Sequence, residues 1–173
     1  MEEQERAGRL PKQFGDFGEN LVVWWLGQFY NYNVALVDHE GADVIAHNST
    51  ERLAISVKSI HRASTIFDVH NQMQLKKFAV NFGGLTPAVA FVFADCERDR
   101  NAKLDVFLFL LEDLVFFCDK SIGISKKTSG DFEIQNGARF IHLQKLINTY
   151  PDRSIKHLRL QQVNGDWNNV RSL

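Results

Sequence analysis

Asp43 and Lys58 are the residues whose types and spacing point most directly to chemistry. Asp43 opens a short β-prone stretch, Lys58 nearly closes the next, and 12 residues separate Asp43 from Ser56, which precedes Lys58 by two. Neighbouring strands of that spacing bring the three together. Asp43 then offers oxygen to a hard divalent cation, and Lys58 sets a positive charge where a phosphate oxygen would sit. Glu19 is a candidate second carboxylate. Phosphodiester hydrolysis needs these types: the scissile phosphate is anionic, the nucleophile is a deprotonated water, and the leaving oxyanion must be neutralised.

The elements that must position these residues are readable from periodicity. Phe14, Phe17, Leu21, Trp24, Trp25 and Phe29 recur at helical spacing, with Gly15 and Gly18 near the start, which predicts a first helix over 14–30. A β-meander follows in 33–37, 43–47 and 53–58. In its third strand Leu53, Ile55 and Val57 share one face, while Ala54, Ser56 and Lys58 share a more polar one. Met73, Leu75, Phe78, Ala79 and Phe82 predict a second helix that stops at Gly83-Gly84. Residues 87–94 and 106–111 are almost wholly apolar and read as central strands. Beyond them lie Asp131 to Ile134, a short helix around 143–148 and a polar tail. The expected organisation is an arm over 1–13 and a single domain over 14–173, with its core at 14–111 and a C-terminal extension at 112–173. The element order indicates one mixed α/β domain.

Composition narrows the classes. The 173 residues are 45% hydrophobic and 24% charged, with no apolar run near the roughly 18 residues of a membrane span. The charged N-terminus leads to no apolar signal segment, so the expected compartment is the cytoplasm. Cys96 and Cys118 lack metal-type spacing and are expected to be buried thiols. The histidines at 39, 47, 61 and 70 lack the spacing of a zinc helix and are left out of the site. The net charge of −1 hides an uneven distribution. Residues 51–94 carry five basic side chains against two acidic, and 120–173 carry nine against four. A polyanion could meet these segments beside an acidic pocket.

In order along the chain stand Gly18-Glu19, Gly41-Ala42-Asp43-Val44-Ile45-Ala46, Ile55-Ser56-Val57-Lys58 and the run Leu75 to Gly84, followed by an apolar strand. Together they resemble the PD-(D/E)xK nuclease superfamily, and within it the archaeal Holliday junction resolvase branch, over residues 14–94. The resemblance implies a restriction-endonuclease-like α/β fold, a mixed β-sheet flanked by helices with an α-β-β-β-α-β core. It implies a magnesium site at Glu19 and Asp43, completed by the Val57 carbonyl and served also by manganese, with catalytic support from Lys58. It further implies a homodimeric endonuclease, a hydrolase acting on branched or duplex DNA. Where the family carries Glu or Gln two positions before the lysine, this chain has Ser56. The compensating acid is then Glu19 or Asp68, and without one the chain is a nuclease-fold DNA-binding or assembly protein that does not hydrolyse. The run Gln74 to Phe78 is similar to the Gln-x-x-x-Tyr motif of exonuclease relatives, with Phe in the last place. Arg62, Gln74, Lys76 and Lys77 are the expected DNA contacts, with Lys126, Lys127, Lys156 and Arg159 as the other basic surface.

Overall fold

A computed structural model describes residues 2–61, 65–95, 103–119, 125–126, 132–134, 148–163 and 166–172. Helix α1 (Glu2–Tyr30) is followed by β1 (Asn33–His39), β2 (Ala42–His47), β3 (Arg52–His61) and β4 (Thr65–Phe67). Next come α2 (Met73–Asn81), β5 (Thr86–Asp95), β6 (Lys103–Leu110) and α3 (Leu111–Asp119). The chain closes with β7 (Ser125–Lys126), β8 (Phe132–Ile134), β9 (Lys156–Val163) and β10 (Asp166–Ser172). The main sheet has seven strands in the order β1-β2-β3-β5-β6-β9-β10, and a small one runs β4-β8-β7. Strand β5 is parallel to β3, and the other neighbours in the main sheet are antiparallel. That parallel pair requires a crossover, which α2 supplies. The mixed sheet, its flanking helices and the α-β-β-β-α-β core are the expected restriction-endonuclease-like arrangement.

The sheet divides two cores. On one face α1 lays Leu21, Val22, Trp25 and Leu26 over Leu53, Ile55 and Val57 of β3 and Ala88, Ala90 and Val92 of β5. On the other, Leu75, Phe78 and Ala79 of α2 meet Ala54 and Ile60 of β3 and Val89, Phe91 and Phe93 of β5. Strand β3 is therefore covered on both sides. Its expected polar face is closed over Ala54 and Ser56, which are buried, and opens only at Lys58.

Helix α1 begins at Glu2, so the segment expected as an arm over 1–13 is helical from its second residue. Pro11, which has no N–H to give to the ladder, does not end it. The same helix turns a different face inward than the aromatic spacing suggested: Trp25 is wholly buried, but Phe17, Trp24 and Phe29 remain substantially exposed. It ends at Asn31, which takes a left-handed φ of 53° while the Tyr32 amide bonds back to the Leu26 carbonyl at 3.3 Å. Helix α2 ends likewise on Gly83 and Gly84, both at positive φ, with the Leu85 amide on the Ala79 carbonyl at 2.8 Å.

Past the expected core, the chain forms α3, β9 and β10 where a polar tail and weak periodicity were anticipated. Residues 143–147 of the expected short helix, and Cys96, lie outside the described residues. No helix among the described residues is long and apolar enough to cross a membrane.

Candidate functional site

The site forms where β2 and β3 part. Their antiparallel ladder runs from His47↔Arg52 to Val44↔Ile55 and goes no further. One residue beyond it, the Asp43 side chain replaces the missing backbone partner: Oδ2 accepts the Val57 N–H at 2.6 Å and the Ser56 hydroxyl at 3.3 Å. The strands can separate here without orphaning a buried donor. Because the N–H and C=O of a strand residue point to the same side, the Val57 carbonyl is directed into the same gap.

Two turns hold this corner. Gly41 sits between β1 and β2 at a φ of 97°, a conformation that L side chains avoid, and the N-terminus of α2 packs directly on it. A Cβ there would stand 2.6 Å from the Gln74 carbonyl carbon and 2.7 Å from the Leu75 nitrogen. The Gln74 side-chain amide then donates to Glu40 at 3.2 Å. On the other face, Gly18 of α1 lies close against β3, where any Cβ would overlap the Ser59 hydroxyl. That approach brings the next residue, Glu19, to the sheet.

Glu19 is the residue whose electrostatics report the assembly. Its carboxyl is held above the ordinary glutamate range, first by burial, then by the negative charges of Asp43 and Asp16, with Asp38 adding to them and Lys58 opposing. The carboxylates of Asp43, Asp16 and Asp38 and the ammonium of Lys58 thus all act on Glu19, beside the start of β2 and the second half of β3. Asp16 and Asp38 were not expected there. The available signals were the i, i+3 spacing of Asp16 and Glu19 on one helix, and the place of Asp38 at the end of β1 beside the Gly41 turn.

Mutually repelled carboxylates beside a main-chain carbonyl are a donor set suited to a divalent cation. No group of three or more His, Cys, Asp and Glu side chains is arranged to hold a metal among the described residues. Magnesium asks for less, since it is commonly bound by one or two carboxylates together with water and substrate phosphate.

The other expected residues fall into three groups. Asp68 does not join the site. Its Oδ1 accepts the backbone N–H groups of His70 and Asn71 at 3.1 and 2.9 Å, which closes the loop before α2. Gln74, Lys76 and Lys77 are exposed on α2, away from its buried face of Leu75, Phe78 and Ala79. Arg62 lies outside the described residues. Of the second basic surface, Lys156 bonds Glu51 at 3.2 Å and Arg159 grips both oxygens of Asp105 at 2.8 and 2.9 Å, so these two cations are committed within the fold.

No family model and no curated protein matches the sequence. Among solved structures, the chain is similar to Hjc, a Holliday junction resolvase of the archaeal hyperthermophile Archaeoglobus fulgidus. The two are 18% identical, the match covers 78% of this chain and 95% of that one, and the TM-score is 0.48.

Proposed function

We propose that this chain is a metal-dependent DNA endonuclease that hydrolyses phosphodiester bonds in branched or structured DNA. The observation that carries the reading is the Asp43 carboxylate seated on the Val57 N–H at 2.6 Å beyond the end of the β2–β3 ladder, within electrostatic reach of Glu19 and Lys58. Asp43, Glu19 and the Val57 carbonyl would hold magnesium, or manganese in its place. When bound, the cation supplies Lewis acidity at the scissile phosphate. Lys58 stabilises the charge that accumulates on the phosphate in the transition state. Lys76 and Lys77, exposed on the helix that packs beside the Gly41 turn, neutralise flanking phosphates, with Gln74 at the same helix start and Arg62 as a further contact. The protein acts as a homodimer in the cytoplasm.

A second reading, a nuclease-fold DNA-binding or assembly protein without hydrolysis, is favoured by Ser56 standing where an acid would complete the donor set. One experiment separates them. Purified protein is incubated with supercoiled, linear, single-stranded and four-way-junction DNA, with magnesium, manganese or chelator. The endonuclease reading expects metal-dependent cleavage with preference for the junction, and Asp43→Ala should lower it by more than about 100-fold while DNA binding persists. Junction binding without cleavage under any metal would establish the second reading instead.

A further inference from the structure

We infer that Ser56 is a positioning residue that orients the Asp43 carboxylate, rather than the empty place of a lost ligand; this rests on the nuclease reading above. Ser56 is only 3% exposed, so its hydroxyl has to find a partner inside the protein. That partner is Asp43 Oδ2 at 3.3 Å, the same oxygen that takes the Val57 N–H at 2.6 Å. Two donors from consecutive residues of β3 converge on one oxygen.

The consequence is asymmetric. Rotation about the terminal torsion of an aspartate is soft, so the side chain alone does not choose which oxygen faces the cation. Both fixed donors claim Oδ2, and Oδ1 accepts no hydrogen bond among the described residues, so Oδ1 is the oxygen presented to the gap. A glutamate at position 56 donates nothing and would add a further negative charge beside Asp43. With serine, the same position lends a donor, and the second acid comes from α1. The division of labour is therefore Glu19 and Asp43 Oδ1 toward the cation, with Ser56 and the Val57 amide holding Asp43 from behind.

The test compares wild type, Ser56→Ala and Ser56→Thr as full chains. Manganese affinity is measured by calorimetry, the magnesium dependence of junction cleavage by assay, and folding by thermal melting. Ser56→Ala should weaken manganese binding by about 10-fold or more and shift the magnesium requirement in parallel, as loss of a group that orients a ligand does. Ser56→Thr, which keeps the hydroxyl, should restore both. Should Ser56→Ala fail to fold, Ser56→Cys keeps the volume with a much weaker donor and should show the same loss of affinity. Wild-type affinity in Ser56→Ala or Ser56→Cys overturns the inference while leaving the nuclease reading intact. So does a threonine variant that folds but recovers no binding. A wild type that neither binds manganese nor cleaves any DNA overturns the nuclease reading and this inference with it.

Discussion

Asp43 and Glu19 divide the burdens of the site unequally. Asp43 is supported by two donors, whereas Glu19 is pressed by burial and by Asp43 and Asp16, so its proton is held more tightly in the folded chain than in the unfolded one. The sign follows from linkage. A carboxyl whose folded-state pKa is raised contributes stability that is fully present below its unfolded value and lost as pH rises through the folded one. Ionising Glu19 in the folded, metal-free protein therefore costs stability as pH rises. Glu19→Gln should raise the melting temperature measured in chelator at pH 7, with the gain shrinking toward pH 4, while weakening manganese binding. A fall in melting temperature in chelator would mean that Glu19 serves the fold rather than the cation. At this scale the sequence was informative about types and poor about surroundings. The order of Asp43, Ser56 and Lys58 was legible because two short strands and a turn leave little freedom in register. The capture of Asp68 by its own loop was not legible, since an Asp before a helix reads the same way whether it faces a site or the backbone behind it.

At the scale of elements, the corner is held by backbone approaches that only small residues allow. Gly41 combines a φ of 97° with an approach of the first turn of α2 so close that a Cβ would overlap its backbone. Alanine at this position meets two penalties, about 1–3 kcal/mol for the left-handed backbone and more for overlap with atoms that cannot rotate away. Gly41→Ala should therefore lower the melting temperature by about 5 °C or more. It should also weaken metal binding, because Asp43 lies only two residues beyond the turn. A variant with native stability and native metal affinity would show that α2 slides freely over this turn. The glycines themselves were readable as turn and close-approach positions. The ends of the chain were not. Helix α1 extends to Glu2 through Pro11, a residue that ordinarily marks a boundary. Helix α3 was hidden because its own apolar run, Leu114-Val115-Phe116-Phe117, is short and follows that of β6 after only Glu112 and Asp113, and a short all-apolar run does not reveal its period. Strands β9 and β10 did carry a signal, the Asn164-Gly165 pair between Val163 and Asp166, which is the strongest short hairpin cue. Their polar composition outweighed it.

Over the whole molecule, the C-terminal hairpin β9–β10 extends the sheet beyond β6, and charged pairs help to fasten it there. Asp105 on β6 accepts from the wholly buried His157 at 2.9 Å and from Arg159 through both oxygens. Although burial pushes the Asp105 carboxyl up, its bonds with His157 and Arg159 prevail and hold it below the ordinary aspartate range. Glu51 is likewise held low against the effect of burial, by the Tyr32 hydroxyl and by Lys156 at the start of β9. For carboxyls depressed in this way, the stabilisation is present above the unfolded value and disappears as pH falls through the folded one. Acid should therefore loosen β9–β10 before it loosens the centre of the sheet, where the core side chains of β3 and β5 make apolar contacts that are indifferent to protons. Hydrogen exchange followed from pH 7 downward should show amide protection of 156–163 failing first, at a pH below the ordinary aspartate range. In Asp105→Asn that failure should already be evident at neutral pH, with a cost of about 2–3 kcal/mol from leaving Arg159 without its counter-charge. The candidate site lies on β2 and β3, separated from the hairpin by β5 and β6, so the same variant should keep its manganese affinity unchanged. Simultaneous loss of protection across the sheet would instead make the hairpin part of one cooperative unit with the site.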